Sequence, residues 1–207
     1  MIQKSLIVLL TLSSFFIFPQ KTIHKEFDSQ ILESKRSLKI HLPEGYGEEE
    51  NEKQNYPLAI VFNGEYLYDL YVGNSMLFSK RDKAPKQIVV GISMEKTKGK
   101  DISFNKNSGR LSANANNFYE FIRDEVLFYM ESTYRTSPFI TLVADGYSAN
   151  FITHFLKEKT AFINSFVCIN PSFSDFIGKE LQSYGLERLQ QEDNTFYFYS
   201  NNSTSFS

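Results

Sequence analysis

Hydrophobic and polar positions run along this chain with two different periods. Ser37-Leu38-Lys39-Ile40-His41-Leu42 alternates residue by residue, the period of a half-buried strand. Residues 21–29 have strand character as well. The two segments predict an antiparallel hairpin at a sheet edge, ended by Pro43, which cannot donate to a ladder. Residues 57–62 and 86–93 are short apolar runs of the kind a parallel sheet covers on both faces. Residues 164–170 and 195–200 read as further strands. Residues 116–134 change period: Phe118, Phe121, Ile122, Val126, Tyr129 and Met130 recur at three- and four-residue steps, which predicts a helix. Residues 66–80 predict a second helix, and residues 173–191 helical patches broken at Gly178 and Gly185. Between them, residues 94–113 form a long polar excursion with little period.

Strands alternating with helices predict an α/β fold: a three-layer sandwich, with a mostly parallel sheet and helices on both faces. The centre of the pattern is Phe139 to Phe155, FITLVADGYSANFITHF. An apolar β-branched run turns at Asp145-Gly146-Tyr147-Ser148 and continues as an amphipathic segment. That predicts strand, tight turn and helix, with Ser148 at the apex of the turn.

Composition narrows the function classes. The 207 residues suffice for one domain with a sizeable core. The net charge of -2 without a basic cluster argues against a nucleic-acid partner. Cys168 is the only cysteine and lies in an apolar strand run, so it reads as a packed thiol. His24, His41 and His154 are scattered, and no pair has metal-ligand spacing. The acidic loop at residues 44–55 lacks the alternation and the Gly turn of a calcium loop, and reads as a solvated loop. Phosphate-binding glycine signatures are absent, so no cofactor is expected. Lys4 precedes an apolar run at residues 6–18, shorter than a comfortable membrane span. Residues 1–20 thus predict a signal peptide, residues 21–207 a single domain, and the product a secreted or periplasmic protein with no stable membrane span.

In such sheets ligands bind beyond the carboxyl ends of the strands. Three loops are expected to converge there: Asn63-Gly64-Glu65, the elbow at Ser148, and the loop after Ile169. For acyl transfer Ser148 would attack a carbonyl carbon. The backbone N–H of Ala149 and one from Glu65 or Tyr66 would hold the oxyanion. Gly64 is expected to supply an unusual backbone angle at the end of its strand.

Several ordered segments carry a resemblance. They are Arg36 to Pro43 with Tyr46, Tyr56 to Glu65, Ile88 to Ile92, Phe121 to Val126 with Tyr134-Arg135-Thr136, Gly146-Tyr147-Ser148, and Ile169 to Ser172. Together they resemble the α/β-hydrolase fold and, more narrowly, the esterase family that includes the esterase D and siderophore-esterase groups. The resemblance implies a serine esterase acting on small-molecule esters, with Ser148 matching the nucleophile. The chain departs from that pattern at Asn150 and Phe151, where glycines are expected, and no histidine follows His154. Glu65, Asp145 and Asp175 lie near the expected mouth without an assignable catalytic partner. The chain is therefore expected to lack the fold's last strand and helix and to be a fragment or a degenerate relative. Two functions follow as expectations: an esterase-like hydrolase using Ser148, or a non-catalytic binding or scaffold protein that keeps the fold.

Overall fold

A computed structural model of the protein describes residues 22–105, 108–157, 162–172, 178–179, 182–183, 186–191 and 195–200. The alternating segment forms β2 (Ser34–His41), paired antiparallel with β1 (Thr22–Ser29), as its period requires. The apolar runs become β3 (Tyr56–Val61), β4 (Ile88–Ile92), β5 (Thr136–Asp145) and β6 (Ser165–Ile169). β7 (Phe196–Ser200) follows them. Among the described residues these make one sheet in the order β1-β2-β4-β3-β5-β6-β7. It is antiparallel at β1, β2 and β4 and parallel from β4 through β7.

Strand side chains alternate between two cores, which explains why these strands read as continuous apolar runs. Leu58, Ile60, Ile88, Val90, Ile140 and Leu142 enter one core. Ala59, Val61, Val89 and Val143 enter the other, under α1 (Leu67–Ser79) with Leu67, Tyr68 and Val72. The first core is covered by the helix predicted at 116–134. It starts three residues earlier than expected, because Ser112 caps it by accepting from the Ala115 N–H at 3.2 Å. It runs as α3 (Ala113–Glu120), a π-helical stretch Phe121–Val126, and α4 (Leu127–Thr133). Phe118, Phe121, Ile122, Val126 and Met130 are all fully buried. Within the π-helical stretch, the Glu125 carboxylate accepts from the N–H groups of Gln30 and Ile31, at 2.8 and 3.1 Å. That ties the β1–β2 turn to the helix layer.

The polar excursion is more ordered than its composition suggests. It carries a short helix, α2 (Lys98–Asp101), and an antiparallel bridge between Phe104 and Leu111. Arg36 on β2 holds it down, donating to both Asp101 oxygens at 2.9 and 2.8 Å and to the Thr97 hydroxyl. Arg36 and Asp101 are 7% and 3% exposed, so the pair is shielded from water. The helical patches predicted at 173–191 fall partly outside the described residues; within the described ones, α6 (Leu186–Gln191) is seen. No described helix is long and apolar enough to cross a membrane.

Candidate functional site at the carboxyl edge of the sheet

Three neighbouring parallel strands, β3, β5 and β6, are each followed within two residues by a residue with left-handed backbone. These are Asn63 (φ +55°), Gly146 (φ +55°) and Asn170 (φ +46°). Asn and Gly are the residues that adopt this conformation at least cost. The three reversals bring the predicted loops to one edge. Gly64 turns out to have another job than the one expected of it, since its φ is not in the left-handed region and Asn63 supplies that angle. A Cβ on Gly64 would lie 2.9 Å from backbone atoms of Gly91 and Ile92, so Gly64 is there for close approach.

The elbow also differs from the expected one, and the difference concerns the chemistry. β5 persists through Asp145, and α5 (Gly146–Ile152) starts at the next residue. Gly146, not Ser148, holds the left-handed apex. Nothing lies within 4 Å of where a Gly146 side chain would begin, so the apex opens outward. Ser148 is instead the third helical residue, 0% exposed, and its hydroxyl donates to Asn63 Oδ1 at 3.2 Å. The spacing Ser148, Phe151, Ile152, Phe155 is the i, i+3, i+4, i+7 stripe of a core-facing helix, and all four are buried. That stripe was available in the sequence as a signal that Ser148 points inward.

With the apex at Gly146, the residues two and three positions on are Ser148 and Ala149. Both are small and fully buried at the contact between helix and sheet. Phe151 then needs no glycine in its place, and packs among Phe62, Phe118 and Phe155, with ring centroids 5.9, 5.5 and 5.9 Å away. Asn150 reaches the loop after β6, its Nδ2 donating to the Ser172 carbonyl at 2.6 Å.

The N–H groups expected to hold an oxyanion differ in how they are engaged. In a helix beginning at Gly146, the Ala149 N–H falls within the i→i−4 ladder. The Tyr66 N–H donates to the Asn63 carbonyl at 3.1 Å. The Glu65 N–H has no acceptor among the described residues. The residue directly after the apex is Tyr147, which is 66% exposed. Asp145 accepts from both Asn63 Nδ2 and the Tyr66 hydroxyl. Burial and that hydrogen bond push the Tyr66 phenol above its ordinary pKa, so it stays protonated as a donor. Glu65 Oε2 accepts from the Met94 N–H at 3.1 Å, fastening the start of the excursion to the mouth.

The remaining candidates lie elsewhere. His41 is buried on β2 opposite Val89, and burial lowers its pKa. His154 is buried with its ring 5.1 Å from that of Phe104. Cys168 is buried and its thiol is pushed up to about 11 by burial, so it is a neutral thiol at physiological pH. Asp175 falls outside the described residues. Among the described residues no group of three His, Cys, Asp or Glu could hold a metal ion.

Comparison with known proteins places this geometry. The family model described as "Putative esterase" matches residues 29–148, more than half of the chain. An uncharacterised protein from Capnocytophaga ochracea superposes with a TM-score of 0.74 at 20% identity, over 89% of this chain and 59% of its own. An IroE-like serine hydrolase from Shewanella oneidensis gives 0.68 at 21%, over 86% and 60%. The siderophore hydrolase EstA from Aspergillus nidulans gives 0.69 at 14%, over 89% and 70%. At these identities the likeness establishes the fold. The chain spans about 60% of the length of the first two. A comparison with curated proteins found no match.

Proposed function

The chain belongs to the esterase family whose model it matches, and from that premise we propose that it binds a small organic ligand at the carboxyl edge of its sheet without hydrolysing it. One observation carries this reading. The apex of the elbow is Gly146, and the nearest serine, Ser148, is fully buried with its hydroxyl on Asn63. Nucleophilic attack needs the reacting atoms ~3–3.5 Å apart, and a buried helical hydroxyl offers a carbonyl carbon no such approach. An acid or base elsewhere in the protein would not change this, because neither supplies a nucleophile at the apex. The esterase membership and the likeness to the siderophore hydrolase suggest the ligand class, a small molecule of ester-like chemistry.

Hydrolysis of p-nitrophenyl acetate tests the reading. Turnover is expected at the buffer background and unchanged in Ser148→Ala. That variant loses one buried neutral hydrogen bond, costing about 1 kcal/mol, and stays folded. Turnover well above background that collapses in Ser148→Ala would overturn the proposal. The family membership favours that second reading, an esterase with Ser148 as nucleophile and backbone donors from Ala149 and from Glu65 or Tyr66. It requires the first turn of α5 to unwind so that Ser148 emerges.

We also propose that residues 1–20 direct export and are removed, which Lys4 and the apolar run at 6–18 support. The mass of the protein recovered from its native host is expected to lack them. A soluble product retaining Met1 would end that proposal.

A further inference from the structure

We infer that the ligand taken at this mouth carries a protonated amine, which pairs with Asp145. The inference rests on the binding reading above and adds the charge of the ligand. Asp145 sits at the last position of β5, directly before the open apex at Gly146. Its carboxylate is not a loose surface charge. Both the Asn63 amide and the Tyr66 hydroxyl donate to the same oxygen, Oδ1. Asn63 is itself fully buried and held from two sides. Its Oδ1 accepts from Ser148, and its carbonyl accepts the N–H groups of Tyr66 and Leu67, each at 3.1 Å. The carboxylate is therefore held by the exposed Tyr66 hydroxyl on one hand and by buried Asn63 on the other, which reaches back to Ser148 on the helix behind the elbow.

That frame satisfies one oxygen only. Among the described residues, Oδ2 has no partner, and no Lys, Arg or His pairs with Asp145. The ion pairs formed among the described residues, such as Arg36–Asp101 and Lys39–Asp69, involve other carboxylates. The neighbouring carboxylate, Glu65, is engaged with the Met94 N–H and brings a second negative charge rather than a cation. A preorganised carboxylate with an unengaged oxygen, one residue before the open apex at Gly146, favours a group that both donates hydrogen bonds and carries positive charge. An ammonium does both, whereas a carboxylate or phosphate ligand meets repulsion. Tyr66 and Tyr147, 45% and 66% exposed, supply aromatic surface at the same edge, and such faces attract organic cations.

Benzylamine, benzyl alcohol and benzoate share one ring and differ in charge, and titrating each into the full chain by two-dimensional NMR tests the inference. Benzylamine is expected to bind saturably, shifting the amides of Asp145, Gly146 and Tyr147. Benzyl alcohol is expected to bind at least tenfold more weakly, and benzoate not at all. Asp145→Asn keeps an acceptor for Asn63 and Tyr66 and is expected to keep the native melting temperature while weakening benzylamine at least tenfold. Absence of saturable benzylamine binding, equal binding of the alcohol, or binding unchanged in Asp145→Asn would each overturn it. None of these readouts depends on ester turnover. A failed amine titration leaves the non-hydrolytic reading standing, and Ser148-dependent turnover defeats that reading without deciding the titration.

Discussion

Phe151→Ala is expected to destabilise the protein by about 3–5 kcal/mol, the range for truncating a fully buried Phe. For a chain of this size each kcal/mol lowers the thermal midpoint by ~2–4 °C. A drop of roughly 10 °C in a thermal melt is the expected result. The cause is local. Phe151 is 0% exposed, and its ring touches those of Phe62 on the strand side, Phe118 of α3 and Phe155 one turn on. Removing it opens a cavity where the elbow helix, the sheet and the covering helix meet. Phe128 is the control: it is 70% exposed on α4, and Phe128→Ala is expected to stay within about 0.5 kcal/mol of the parent. Equal midpoints for the two variants would refute the packing described for α5.

Asp101→Ala is expected to cost about 3–5 kcal/mol as well, by a different mechanism. The Arg36 guanidinium is buried against Asp101 and Thr97, with its carbon 5.6 Å above the Phe118 ring. Removing the carboxylate strands a buried charge. The double variant Arg36→Met/Asp101→Leu removes both charges and is expected to recover most of that loss, since replacing a buried pair with apolar groups is often near neutral. Raising the salt concentration is expected to leave the Asp101→Ala deficit nearly unchanged, because a pair this shielded is poorly screened. A deficit below about 1 kcal/mol would mean that the excursion at 94–113 is not anchored through Arg36.

The layering of the fold was legible because it is written in periods. One-by-one alternation at 37–42 gave the antiparallel edge, unbroken apolar runs gave the parallel centre, and the Phe118-to-Met130 stripe gave the covering helix. The clamp on the excursion was not legible. Arg36 and Asp101 are far apart in sequence, and nothing local marks either as buried. The left-handed apex lies two residues before the serine of the Gly-x-Ser pattern, because the physics of the turn favours the glycine. Asp145 can still pair in the strand, opposite Ile169 on β6, whereas Gly146 is the first residue for which a left-handed φ is cheap. Moving the apex by two residues also removes the apparent defects at Asn150 and Phe151. The role of Asn63 is not legible locally because it depends on a contact across 85 positions of sequence, the Ser148 hydroxyl donating to its amide oxygen.

The most direct measurement is covalent. Incubating the folded protein with a fluorophosphonate and weighing it intact asks whether any serine at the elbow is a reachable, activated nucleophile. The unmodified mass is expected after prolonged exposure, with Ser148 unlabelled in the peptide map. A stoichiometric adduct on Ser148, lost in Ser148→Ala, would contradict a glycine apex with its serine buried behind it.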